Sequence, residues 1–225
     1  MLATATAVGS VQACAAAPNN GSTRPNLLDC KDVGFAVRRV ASAVGRRRPR
    51  NAEICLGENN MVCPICSWSP DNPDYLLLHE TRYWRVVLAP NQCLVGRCVL
   101  HLKRHCGDVA DTTPDEILEW LTIVKTWECA LRTAFDATLF NWSCYMNHSY
   151  RENPPEPHIH WWAVPRYNHQ TQIDDWVFKD PQFGNPYDHY RWIQVPTKIH
   201  HKIAAGIRQA IAQVESSEQS LRVSQ

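Results

Sequence analysis

The chain has 225 residues, a formal net charge of +1, 44% hydrophobic residues and nine tryptophans. That is enough apolar material for one domain with a real core, and the near-neutral balance gives no reason to expect a polyanion-binding surface over the whole chain. No run of about 18 apolar residues occurs, which excludes a membrane-spanning helix. The ten cysteines are scattered, and only Cys63 and Cys66 have a metal-like spacing. The reading is therefore a reducing compartment in which most thiols act as small buried apolar groups.

Residues 1–57 differ in composition from the rest. They open Ala/Thr-rich, pass through "NNGSTRPN" and end in "RRVASAVGRRRPR", which reads as a disordered or targeting segment. It makes a poor secretory signal because no positive charge precedes the apolar part. Arg46, Arg47, Arg48 and Arg50 suit a nuclear signal, and an organelle transit peptide is the rival reading, so the expected location is cytoplasmic or nuclear with organelle targeting as the alternative. A globular domain is expected over 58–215 and a polar tail over 216–225.

"YWRVVLA" (83–89) and "LVGRCVLHL" (94–102) are rich in β-branched and aromatic residues and predict neighbouring antiparallel strands. In "DTTPDEI", Thr113 is the expected N-cap, Pro114 fits the first helical position and Glu116 completes a capping box. Ile117, Leu118, Leu121, Val124, Trp127, Leu131 and Phe135 recur at helical spacing, which predicts a helix to about residue 135 burying that stripe. "TLFNWSCYMN" (138–147) and "HIHWWAV" (158–164) are further strand candidates, separated by a proline-rich loop. Ile199, Ile203, Ile207, Ile211 and Val214 line one face of a C-terminal helix. The sum is an α+β domain with a mostly antiparallel sheet.

In an extended 158–164, side chains alternate between faces, so His158, His160 and Trp162 share one face and Ile159, Trp161 and Ala163 the other. Pro165 should end this strand, leaving Arg166 at its rim as a fixed cation for an anionic ligand. "CPIC" (63–66) can grip one zinc ion from a tight turn, with redox use as the competitor. His105 and His158 are the best additional ligands, His101 and Cys106 are local rivals, and spacing alone does not choose among them.

"NQCLVGRCVLHLKRH", the capped helix, "FNWSCYMN", "PHIHWWAVPRY" and "FKDPQFGNPYDHY" together resemble the histidine-triad superfamily of nucleotide hydrolases and transferases, over roughly residues 61–190. The resemblance implies a five-stranded antiparallel sheet with flanking helices, commonly assembled as a homodimer. It implies that His160, at the middle triad position, is the nucleophile toward a nucleotide or dinucleotide substrate. It also implies a structural zinc on Cys63, Cys66, His105 and His158, and places Asn147 near the nucleotide. A neutral imidazole can attack the α-phosphorus of a nucleotide to give a covalent nucleotidyl-histidine. Nucleic acid and membrane are not the expected partners.

Two departures stand out. Trp162 replaces the third histidine of the pattern; it keeps one N–H donor but exchanges no proton. The loop before the triad, "RENPPEP", carries prolines where family members offer backbone N–H groups to phosphate, and Arg151 or Arg166 is the expected compensation. The alternative reading is a degenerate, non-catalytic nucleotide-binding or zinc-stabilised interaction module.

Overall fold

The computed structural model describes residues 63–223; the expectations for 1–57 lie outside the described residues. Strand β1 (Leu76–Glu80) is followed by β2 (Trp84–Leu88), β3 (Cys98–Leu102), helix α1 (Pro114–Phe135), β4 (Leu139–Ser143), β5 (His160–Arg166), the short hairpin β6 (Thr171–Ile173) and β7 (Trp176–Phe178), and helix α2 (Thr197–Val223). The first five strands form one sheet in the order β1-β2-β3-β5-β4, with every neighbouring pair antiparallel. This is the expected five-stranded α+β arrangement.

Helix α1 starts where its capping residues put it. The Thr113 hydroxyl accepts from the Glu116 N–H, the Glu116 carboxylate accepts from the Thr113 N–H, and Pro114 occupies the first turn. Its buried face is rotated from the expected stripe. Glu116, Ile123, Trp127, Ala130 and Leu131 are buried, whereas Leu118 and Leu121 are 57% and 42% exposed. Trp127 and Leu131 set the register because they pack into the main core with the sheet, and the two leucines in the first half of the helix are left on the outer side.

Helix α2 buries Ile199, Ile203, Ile207 and Ile211 as expected, each contributing about 1.5–3 kcal/mol. It continues past Glu215 to Val223, since that stretch contains Glu, Gln, Leu and Arg and neither Gly nor Pro. Both helices cover one face of the sheet. There Trp84, Leu100, Leu102, Trp127, Ile159 and Ala163 join the α2 isoleucines in the main core.

Among the described residues, the opposite face is covered only locally. Trp68 and Tyr75, from the segment before β1, pack with Val87, Val99 and Trp162. Tyr187 and Ile193, from the segment before α2, pack with Cys93, Leu94, Val164 and Trp162. Strand β3 begins at Cys98 rather than residue 94, because Leu94–Arg97 forms a turn in which Gly96 has φ +81°. Strand β5 runs through Pro165 to Arg166. Pro165 lies beyond the last residue that pairs with β3, so no rung is lost there. Among the described residues no helix is long and apolar enough to cross a membrane.

Candidate functional site

Four donor atoms converge where the "CPIC" turn meets the start of β5. One atom each from Cys63, Cys66, His105 and His158 lies within 4.8 Å of all the others. The Cys63 Sγ is 3.3 Å from His158 Nδ1, and the Cys66 Sγ is 3.4 Å from His105 Nδ1 and 3.5 Å from His158 Nδ1. These are the spacings between ligands of a tetrahedral ion with bonds of roughly 2.0–2.3 Å. The second nitrogen of His158, Nε2, donates to the Leu102 carbonyl at 2.7 Å. A carbonyl only accepts, so Nδ1 is left bare and aimed at the sulphurs, the tautomer a metal needs. Burial pushes the His158 ring down to about 4, which keeps it neutral.

The rivals fall elsewhere. Cys106 is buried with its thiol on the Asp108 carbonyl. His101 is 3% exposed, its ring edge-on to Trp68 at 5.6 Å, with neither nitrogen hydrogen-bonded. Burial, helped by the Arg85 charge and then His158 and His160, pushes it down to about 3. It is a neutral packing group.

His160 stands opposite His101 in the β3–β5 ladder, with Trp162 opposite Val99, so both lie on the face away from the helices. The His160 Nδ1–H donates to the His158 carbonyl at 2.9 Å. By the same argument, Nε2 carries the free lone pair. Burial lowers the basicity of this half-buried ring, the His158 carbonyl opposes that shift and nearby His148 adds to it. Trp162 is packed between two apolar clusters, 6.4 Å from the His160 ring. The guanidinium of Arg97 lies 4.3 Å from its ring centre.

The remaining expected site residues divide. Asn147 and Arg151 bound a 3-10 turn, Asn147–Arg151, and are exposed, with no side-chain partner among the described residues. Arg166 does not wait for a ligand. It is 2% exposed, and its five N–H groups meet the two Asp180 oxygens, Asn141 Oδ1 and the carbonyls of Asn185 and Gln182. Its fork is saturated, so it straps the 180–185 segment to the end of β5 and leaves no donor for phosphate. Lys103 is likewise bound to Glu80, and Arg104 to Glu116.

On the same face, beside edge strand β4, lies a cavity of about 470 Å³ lined by Asn141, Ser143, Tyr145, Tyr187 and His189 among others. Tyr145 and Tyr187 place their rings 6.2 and 5.4 Å from His189. Tyr145, Tyr187 and Asp180 carry no local sequence pattern that marks them as part of a site.

Among solved structures, a hypothetical histidine triad nucleotide-binding protein of Sulfolobus tokodaii superposes with a TM-score of 0.51 at 15% identity, covering 68% of this chain and 94% of its own. A histidine triad protein of Marinobacter aquaeolei gives 0.49 at 14%, covering 63% and 91%. A zinc-bound histidine triad family protein of Mycobacterium smegmatis gives 0.43 at 20%, covering 63% and 86%. The fold is that of the histidine triad proteins. No protein-family model and no curated protein matches the sequence.

Proposed function

We propose that this protein is a nucleotide-binding member of the histidine-triad superfamily and acts at the α-phosphate of a nucleotide through a covalent nucleotidyl-His160 intermediate. The observation that carries this reading is the hydrogen bond from His160 Nδ1 to the His158 carbonyl, which leaves Nε2 unprotonated on the face away from the helices. The Nε2 lone pair forms an N–P bond while the bond from phosphorus to the leaving group breaks. Water or a second acceptor then displaces the histidine. The cavity beside β4, with its tyrosine and histidine rings, suits a planar base.

Cys63, Cys66, His105 and His158 would hold zinc. Four protein ligands leave no open coordination position, so the ion would supply rigidity to the start of β5 and no Lewis acidity. Asn147 and Arg151, exposed on the turn before β5, are available to meet phosphate. A homodimer is the assembly this reading implies.

The test is intact-mass spectrometry after exposure to a dinucleoside polyphosphate and, separately, to a nucleoside phosphoramidate, quenched in base to preserve the N–P bond. The expected result is a nucleotidyl adduct that maps to His160 and is absent from His160→Ala. Nucleotide binding without adduct or turnover would favour a binding-only protein, a reading supported by the non-ionisable Trp162 at the third triad position.

A further inference from the structure

Two arginines are buried among the described residues, and they differ in one respect. Arg166 has every N–H satisfied. Arg97 is 6% exposed, its Nε is buried without a partner, and its guanidinium makes no hydrogen bond or ion pair among the described residues. The face of Trp162 lies 4.3 Å from it, and its charge also acts on the Tyr75 and Tyr187 hydroxyls, both neutral phenols. A desolvated cation without a counter-charge is costly, and a cation–π contact offsets only part of that cost.

The chain nevertheless holds Arg97 in place with some care. Its carbonyl accepts from the Ala89 N–H and from Gln92 Nε2, and its N–H donates to the Leu94 carbonyl. The fully buried Gln92 side chain also donates to the Ala89 carbonyl and accepts from the Gly96 N–H. Gly96 cannot be replaced cheaply, since a Cβ there would come within 2.8 Å of Leu131 Cδ2 at a φ of +81°. Cys98 faces the helix-side core, so Arg97 and Val99 project to the face that carries Trp162 and His160. Along that face the order is His160, then Trp162, then the Arg97 guanidinium.

We propose that Arg97 is the anion-binding end of this site: with the α-phosphorus at His160, a leaving group bearing its own phosphates crosses the Trp162 indole and ends on the Arg97 guanidinium. This rests on the His160 reading and narrows it to nucleoside or dinucleoside polyphosphates. The chemistry balances without an added proton. As the His160 N–P bond forms, the P–O bond to the leaving phosphate breaks and its electron pair stays on that oxygen, where the nearby guanidinium stabilises the charge. A phosphate departs as an anion. An amine or alkoxide needs a proton, which Trp162 cannot give. The tryptophan at the third triad position and the unpaired arginine above it therefore point to the same class of leaving group.

The experiment compares adduct formation from diadenosine tetraphosphate and from adenosine phosphoramidate in the wild type, Arg97→Gln and Arg97→Lys. Arg97→Gln is expected to slow the polyphosphate reaction about ten- to hundredfold, the scale of a lost charge-assisted hydrogen bond, and the phosphoramidate reaction far less. Arg97→Lys should fall between. Inorganic pyrophosphate should bind the wild type in calorimetry and bind Arg97→Gln about tenfold or more weakly. Equal slowing of both substrates, or pyrophosphate affinity unchanged by Arg97→Gln, overturns the proposal while leaving the His160 reading intact. If the wild type shows neither adduct nor turnover with either substrate, the His160 reading fails. Arg97-dependent pyrophosphate binding would still uphold the anion site, and Arg97-independent binding would end it.

Discussion

Strand β5 is tied down at both ends, by opposite kinds of chemistry. At its start, His158 joins Cys63, Cys66 and His105 in a cluster of soft donors brought together from three separate segments. At its finish, Arg166 is wrapped by Asp180, Gln182, Asn185 and Asn141 in a hard, charge-assisted fork. The first arrangement is a donor set that an ion would complete. The second is complete within the protein. Between them, on the proposed reading, His160 and Trp162 need a fixed backbone, because nucleophilic attack at phosphorus tolerates little misplacement.

The contrast can be broken from either side, and the largest effect should come from the cluster. Chelation, or Cys63→Ser, should release zinc stoichiometrically and give the greatest fall in melting temperature, because the energy of binding a structural ion is folding energy; metal analysis with calorimetry measures both. Undetectable zinc in the wild type with an unchanged melting temperature would remove the metal from the account.

At the other end, Asp180→Ala strands a buried guanidinium and should cost about 3–5 kcal/mol, read by urea unfolding, with no loss of metal. Intermediate in size is Glu116→Ala, which deletes the capping box and the Arg104 partner together and should cost about 1–3 kcal/mol. Burial pushes the Glu116 carboxyl up, but Arg104 and the Thr113 N–H outweigh it and hold it below its ordinary value. Its contribution is thus fully present above about pH 4.3 and is lost as pH falls through the folded value. Glu116→Gln should show less of that acid loss. The smallest stability effect belongs to His160→Ala, about 0.5–1.5 kcal/mol for one hydrogen bond. Its adduct should nonetheless vanish, separating chemistry from fold.

Much of this was legible in the residues, for identifiable reasons. Thr113, Pro114 and Glu116 define the start of α1, and Ile199 to Ile211 define the inner face of α2. The alternation in "HIHWWAV" placed His160 and Trp162 on one face, where the ladder puts them. Strand β1 went unrecognised because "LLLHE" has no alternation to separate it from a helix fragment. The β6–β7 hairpin was missed because its turn relies on Asp174 at φ +50°, which a non-glycine residue does not advertise. Cys63 and Cys66 declare themselves by spacing. Asp180, fourteen residues after Arg166, has no such mark, so Arg166 read as a free cation when it is the most thoroughly partnered side chain in the site.

Among the described residues, helices back only one side of the sheet, and that separates the frame from the site. The side that carries His160 is upholstered by two stretches, 63–75 and 180–193, that take little part in the main core. On the proposed reading, a change in that upholstery would alter the site and leave the helix-backed frame intact, even though Ile159 of the core and His160 of the site are neighbours in sequence.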